Sequence, residues 1–193
     1  MWNVLASIFA IIIFALITLS VDDNMSAQIQ SAMLSKAEQQ SAVLLALYAQ
    51  AAHAYAQANN LPSGTTVSLS TLQSAQYLPG GFPTANAFGQ QFTAVVGTTS
   101  ASAEPIAAWF STAPLDLKGS PNTPLMQQSV ALKIAQDASV VQSNSAVQYG
   151  VAAGGAAPYT QIQLPFSTAL VNVTSTVPSF SSSTQGAMAL YLQ

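Results

Sequence analysis

No charged residue occurs between Met1 and Val21 (MWNVLASIFAIIIFALITLSV), and neither proline nor glycine occurs before Pro62. Ile8 to Leu19 is apolar apart from Thr18. At about 1.5 Å per residue, about 21 helical residues span about 30 Å, the thickness of a bilayer's hydrocarbon core. Beyond Asp22-Asp23, the positions Met25, Ile29, Met33, Ala37, Gln40, Leu44, Tyr48, Ala51 and Tyr55 recur every three or four residues. That spacing draws an amphipathic stripe. Leu45, Leu47 and Ala52 widen it, while Gln39, Gln50 and Gln57 mark a more polar side. The pattern predicts a single helix of roughly 55–60 residues, apolar all round at its start and amphipathic afterwards. Asn59-Asn60-Leu61-Pro62-Ser63-Gly64 supplies its stop, with asparagines at the cap and proline and glycine beyond. The stripe needs a cover, most simply the chain's own head domain. Met25, Ile29, Met33, Leu44, Tyr48 and Tyr55 are the expected helix-to-head packing residues.

Composition narrows the function classes. The 193 residues include three lysines, six acids and one histidine, and 5% are charged, against about 25% in ordinary soluble domains. Polarity comes from Ser, Thr, Gln and Asn. With so little positive charge to neutralise phosphates, nucleic-acid binding is not expected. With no cysteine, disulfides, thiolate catalysis and Cys-based metal sites are excluded. Two conditions favour such a surface: burial among copies of the same chain, where unpaired charge is costly, and an acidic exterior, where carboxylates are protonated.

The opening run lacks the basic n-region and the short apolar core of a secretory signal. It also lacks the flanking basic residues of an ordinary anchor. This predicts that Met1 is a processed terminus.

Residues 61–193 read as an α+β head. Thr66 to Ser70 alternates as a short strand or arm, and Thr71 to Tyr77 suggests a helical turn. Leu78 to Pro83 and Asn86 to Gly89 are turns by composition. Gln91–Thr98 and Ile106–Thr112 read as strands. Thr123 as N-cap and Pro124 as first helical residue open a helix of about 16 residues, with Leu125, Met126, Val130, Ile134, Ala138 and Val141 on one face. Gly150 to Gly155 reads as a flexible link. Tyr159–Phe166, Ala169–Val177 and Ala187–Leu192 are the last predicted strands.

No motif frames a reaction. His53 sits among alanines, and the neighbouring helix sequence offers none of the residue types that a metal site or a catalytic base needs; no serine lies in a GxSxG or SxxK context. Trp2, Phe9, Phe14, Tyr48 and Tyr55 are accounted for by packing. Asp22 and Asp23 suit a solvated boundary or a contact with Lys36 or a neighbour's amine. Asn24 and Asn172 head formal glycosylation sequons. The expectation is no enzyme, no cofactor and no metal.

A long N-terminal helix, apolar at first and then packed on a sheet-containing head, resembles the type IV pilins. A second likeness is local. Ala75-Gln76-Tyr77-Leu78-Pro79-Gly80-Gly81-Phe82, then Asn86-Ala87-Phe88-Gly89-Gln90-Gln91-Phe92, looks like the corresponding segment of PilV-like (shufflon-type) pilins of thin conjugative pili. Gly154-Gly155 falls where those proteins carry glycines after a helix. The resemblance favours the IVb branch. It implies a long N-terminal α-helix (residues 1–60) on a head with an antiparallel β-sheet (61–193). It further implies an extracellular filament, residence in the inner membrane before assembly, a prepilin peptidase, an external ATPase and a methylated N-terminus. Two features depart from the family. The fifth residue is Leu5 where pilins commonly carry glutamate, leaving Asn3 and Ser7 as nearby polar groups. No disulfide staples the head.

The function expected on these grounds is that of a structural subunit, a major pilin assembling as a helical homopolymer. Met1, Trp2, Leu5, Ile8, Phe9, Ile12, Ile13, Phe14, Leu16, Ile17 and Leu19 would form the filament core. Roughly 12 large apolar side chains at about 1.5–3 kcal/mol each make return to water prohibitive, whereas lipid tails and sister helices are nearly equivalent solvents. The alternatives are a minor pilin or tip adhesin, a pseudopilin, and a single-pass anchored binding protein.

Overall fold

The computed structural model describes residues 2–62, 64–96, 106–110, 124–142, 147–153, 161–165, 170–172 and 187–191, and side-chain environments for 28–62, 64–96, 128–142, 147–151, 164, 165 and 189. The chain divides into two compact units, Met1–Lys36 and Ala37–Gln193. The division falls inside the first helix rather than at its end near residue 60.

That helix, α1, runs Trp2–Asn59. Its stop is local chemistry. Asn60 takes a left-handed φ of 47°, its N–H bonds the Gln57 carbonyl, and the Leu61 N–H bonds the Ala56 carbonyl at 3.1 Å. This paired arrangement satisfies carbonyls that the helix leaves free, with asparagine in place of the usual glycine. The Asn59 amide adds a bond to the Tyr55 carbonyl.

Strand β1 is only Thr66–Val67. The alternation expected through Ser70 stops because Ser68 caps helix α2 (Leu69–Ser74), its hydroxyl accepting from the Thr71 N–H. Serine as N-cap satisfies an otherwise orphaned donor, and here that local bond outweighs the two-residue period. Strand β2 (Phe92–Val96) and strand β3 (Ile106–Phe110) lie within the expected spans. Helix α3 is Pro124–Val141, 18 residues; the expected cap Thr123 lies outside the described residues.

Strand β4 (Val147–Ala153) corrects the link expected at Gly150–Gly155. Gly150 is buried opposite Met188, and Val151 pairs with both Ala187 and Gln163. Ladders on both sides hold backbone that the glycine alone would leave free. Gly154 and Gly155 lie outside the described residues. Strands β5 (Gln161–Gln163), β6 (Leu170–Asn172) and β7 (Ala187–Tyr191) follow.

The described strands form one seven-stranded sheet in the order β1-β2-β3-β7-β4-β5-β6, antiparallel at every pairing. Two three-stranded halves are thus joined by β7, the last strand in the chain, inserted between β3 and β4. The fold is α+β. Its core gathers Leu45, Tyr48 and Ala52 of α1, Leu72 of α2, Val96 of β2, Ile134 and Ala138 of α3, and Val151 of β4.

Candidate functional site

The candidate site is the surface and seat of α1. Between Ala37 and Asn59 the helix has a buried face of mostly small residues, including Ala42, Ala46, Ala49, Ala52 and Ala56, with Leu45 and Tyr48 as its large members. Small residues let the helix backbone approach its support closely. Tyr48 fastens it: its hydroxyl donates to the Val67 carbonyl at 2.8 Å, and its ring lies 4.9 Å from that of Phe92. Phe92 meets Phe82 in turn at 5.7 Å. Burial pushes the Tyr48 phenol well above its ordinary range, so it stays protonated and able to donate. Tyr55 is half-buried and meets the exposed Tyr77 edge-on at 5.4 Å.

The opposite face of this segment presents Gln40, Val43, Leu47, Gln50 and Ala54, all exposed and spaced three or four apart. Val43 is 40% and Leu47 46% exposed. This strip carries no charge. It offers methyl groups and amides, a surface suited to packing and not to proton transfer. In the Met1–Lys36 unit, Ile29 and Met33 are exposed at 46% and 67%.

The expected stripe therefore divides. Tyr48 is buried, Leu44 and Tyr55 are half-buried, and Ile29 and Met33 are exposed; the Met25 side chain lies outside the described residues. The division follows position along the helix and not azimuth. Met33 and Ala51 stand about 18 residues, or about five turns, apart and so share a face, yet Met33 is 67% exposed and Ala51 7%. The exposed members precede Ala37, where the second compact unit begins. The side chains of the expected core residues, Met1, Trp2, Leu5, Ile8, Phe9, Ile12, Ile13, Phe14, Leu16, Ile17 and Leu19, lie outside the described set as well.

The segment after α2 is an organised turn. Gln73 spans it, its amide donating to the carbonyls of Pro79, Gly80 and Phe82 at 3.2–3.3 Å. Asn86, buried, accepts through Oδ1 from the N–H groups of Phe88 and Gln90 and donates through Nδ2 to Gln90 Oε1 at 3.0 Å. Gly89 sits at φ 77°, and Ala85 bridges Gln91 into β2.

Sequence reading passed over the polar cluster at the start of the packed segment. Glu38 on α1 is 8% exposed. Burial and then the negative charge of Asp137 push its carboxyl above the usual 4.5, against a weaker opposing pull from Lys133. Lys133 and Asp137 form an i,i+4 ion pair at 2.6 Å on α3. The available signal was the scarcity of charge itself: in this chain each charged residue is conspicuous. His53 is half-buried. Among the described residues no His, Cys, Asp and Glu group could hold a metal, and among them no helix is long and apolar enough to cross a membrane.

Fold and surface together define an α+β protein with a long N-terminal helix whose latter part is built into the domain core. Comparison of the chain with family models, with curated proteins and with solved structures gives no match.

Proposed function

We propose that the chain is the structural subunit of an extracellular filament, a IVb-like type IV major pilin, assembled through packing of its N-terminal apolar helix segments. The observation that carries this reading is α1. It is one helix from Trp2 to Asn59, its sequence bears no charge from Met1 to Val21, and one face of its later part, including Leu45, Tyr48 and Ala52, belongs to the head's core. A helix with that division of labour commits its later part to the head and leaves its apolar start for lipid or for sister helices. In this mechanism subunits wait in the inner membrane through residues 1–21, and an external ATPase-driven machine moves them into the fibre. There the apolar segments exchange lipid for one another, a contact that is heterologous and therefore propagates. The nearly uncharged surface supports the same reading, because copies can pack without burying unpaired ions.

Electron microscopy of sheared cell-surface material, with mass spectrometry of the fibres, tests it. Fibres composed mainly of this chain are expected; absence of the chain from fibres refutes the proposal. Ile12→Pro removes a helix hydrogen bond and kinks the segment at a cost of about 3 kcal/mol or more. It is expected to abolish fibres while leaving the head's circular dichroism unchanged.

A further inference from the structure

We propose that the groove between the last turns of α1 and helix α2 binds a neutral saccharide, with the Tyr55 ring as a plate for the sugar's C–H face and Ser70, Thr71 and Ser74 as a hydrogen-bonding rim. The proposal rests on residues within the Ala37–Gln193 unit and does not depend on the filament reading.

The groove has a volume of about 470 Å³ and is lined by Tyr55 of α1, by Ser70, Thr71 and Ser74 of α2, and by Ala75. That volume falls within the range of small-molecule sites, roughly 300–1,000 Å³. One aromatic ring, one methyl group and three hydroxyls meet there, and none of these five residues carries a charge. Each Ser or Thr hydroxyl both donates and accepts. A sugar presents the same two capacities at each of its own hydroxyls, on a ring whose C–H bonds form an apolar face. An ion would find no counter-charge among these residues, and a purely apolar ligand would cover the three hydroxyls without pairing them.

Local bonds hold the site in shape. The hydroxyl of Ser68, the cap of α2, lies 2.9 Å from that of Ser70 and 2.7 Å from that of Thr71. These contacts fix the two rim hydroxyls and leave each with further hydrogen-bonding capacity. Ser74 is exposed and stands four residues beyond Ser70, on the same side of α2. Past α2, Gln76 takes a left-handed φ of 63°, a conformation unfavourable for a residue with a side chain; strain of this kind clusters at ligand-binding sites. The Tyr77 N–H bonds the Leu72 carbonyl at 2.9 Å, and the reversal brings Tyr77 edge-on to Tyr55, ring centres 5.4 Å apart. Tyr77 thereby restrains the Tyr55 ring, and a plate already held in place loses less freedom when a ligand settles on it.

One ring and three hydroxyls in an open groove support weak binding, in the millimolar range, with each hydrogen bond contributing a factor of about 2–10.

The test follows backbone amide shifts of the full-length protein, in a detergent without a sugar head group, during titration with cellobiose, lactose and maltose. Saturable shifts centred on Tyr55, Ser70, Thr71, Ser74 and Ala75 are expected with at least one of these sugars. Ser74→Ala places a good helix former at an exposed position and is expected to weaken that binding about 2–10-fold. Tyr55→Ala is expected to abolish it. The proposal is overturned by the absence of saturable shifts with all three sugars, by equal shifts with an uncharged capped dipeptide, by binding retained in Tyr55→Ala, or by binding undiminished in Ser74→Ala. If Tyr55→Ala does not fold, the wild-type and Ser74→Ala titrations decide alone.

Discussion

Tyr48 offers the sharpest test of how α1 is held. Its side chain is fully buried and makes two separable contributions, a hydroxyl bond to the Val67 carbonyl at 2.8 Å and a ring packed 4.9 Å from Phe92. Tyr48→Phe removes the first and keeps the second. A buried carbonyl deprived of its donor costs about 1–2 kcal/mol, less if the β1–β2 ladder lets it find another. Tyr48→Ala removes both and opens a cavity, at a cost of about 3–5 kcal/mol. In a chain of this size each kcal/mol lowers the melting temperature by about 2–4 °C. Thermal unfolding of the full-length protein in detergent should therefore show a drop of about 2–8 °C for Tyr48→Phe and about 6–20 °C for Tyr48→Ala. A Tyr48→Phe protein that melts with the wild type would refute the hydroxyl's role, and a Tyr48→Ala protein that does so would refute the placement of this face in the core. Because Val67 lies in the two-residue edge strand β1, amide exchange at Thr66 and Val67 should accelerate in Tyr48→Phe more than exchange in β4.

Other expectations are independent of Tyr48. Asn86→Ala strips the Phe88 and Gln90 N–H groups of their acceptor inside a buried turn and should cost about 2–3 kcal/mol in denaturant unfolding. Gly89→Ala has no steric obstacle within 4 Å but must adopt φ 77°, so the loss should be about 1 kcal/mol, from strain alone. Removal of residues 187–193 deletes β7 and strips β3 and β4 of a partner at once; the truncated chain should fail to give a cooperative melt, and a normal melt would contradict the central position of β7.

The signals read correctly from the sequence are those whose cause lies within a few residues. The end of α1 depends on Asn60 accepting a left-handed conformation and on bonds from residues 60 and 61 back to 57 and 56. The start of α3 at Pro124 uses a ring whose φ is already helical. The turn at Asn86–Gly89 closes on its own side chain. At Ser68, two local signals competed, the alternation of Thr66 to Ser70 and the serine cap. The cap prevailed because it satisfies a donor at once, whereas a strand depends on a neighbour 25 or more residues away.

What the sequence by itself determined is the existence of one unbroken α1, an uncharged opening segment, and a head of mixed helix and strand, since periodicity, capping and the absence of proline are properties of neighbouring residues. Tertiary structure alone decided which face of α1 is buried, that Gly150 belongs to a strand, that β7 fills the middle of the sheet, and that Glu38 is buried within reach of the charges of Asp137 and Lys133. These outcomes depend on energies between residues far apart in the chain, such as ladder pairing on both sides of β4 and charge repulsion across two helices. Local pattern contains no term for either.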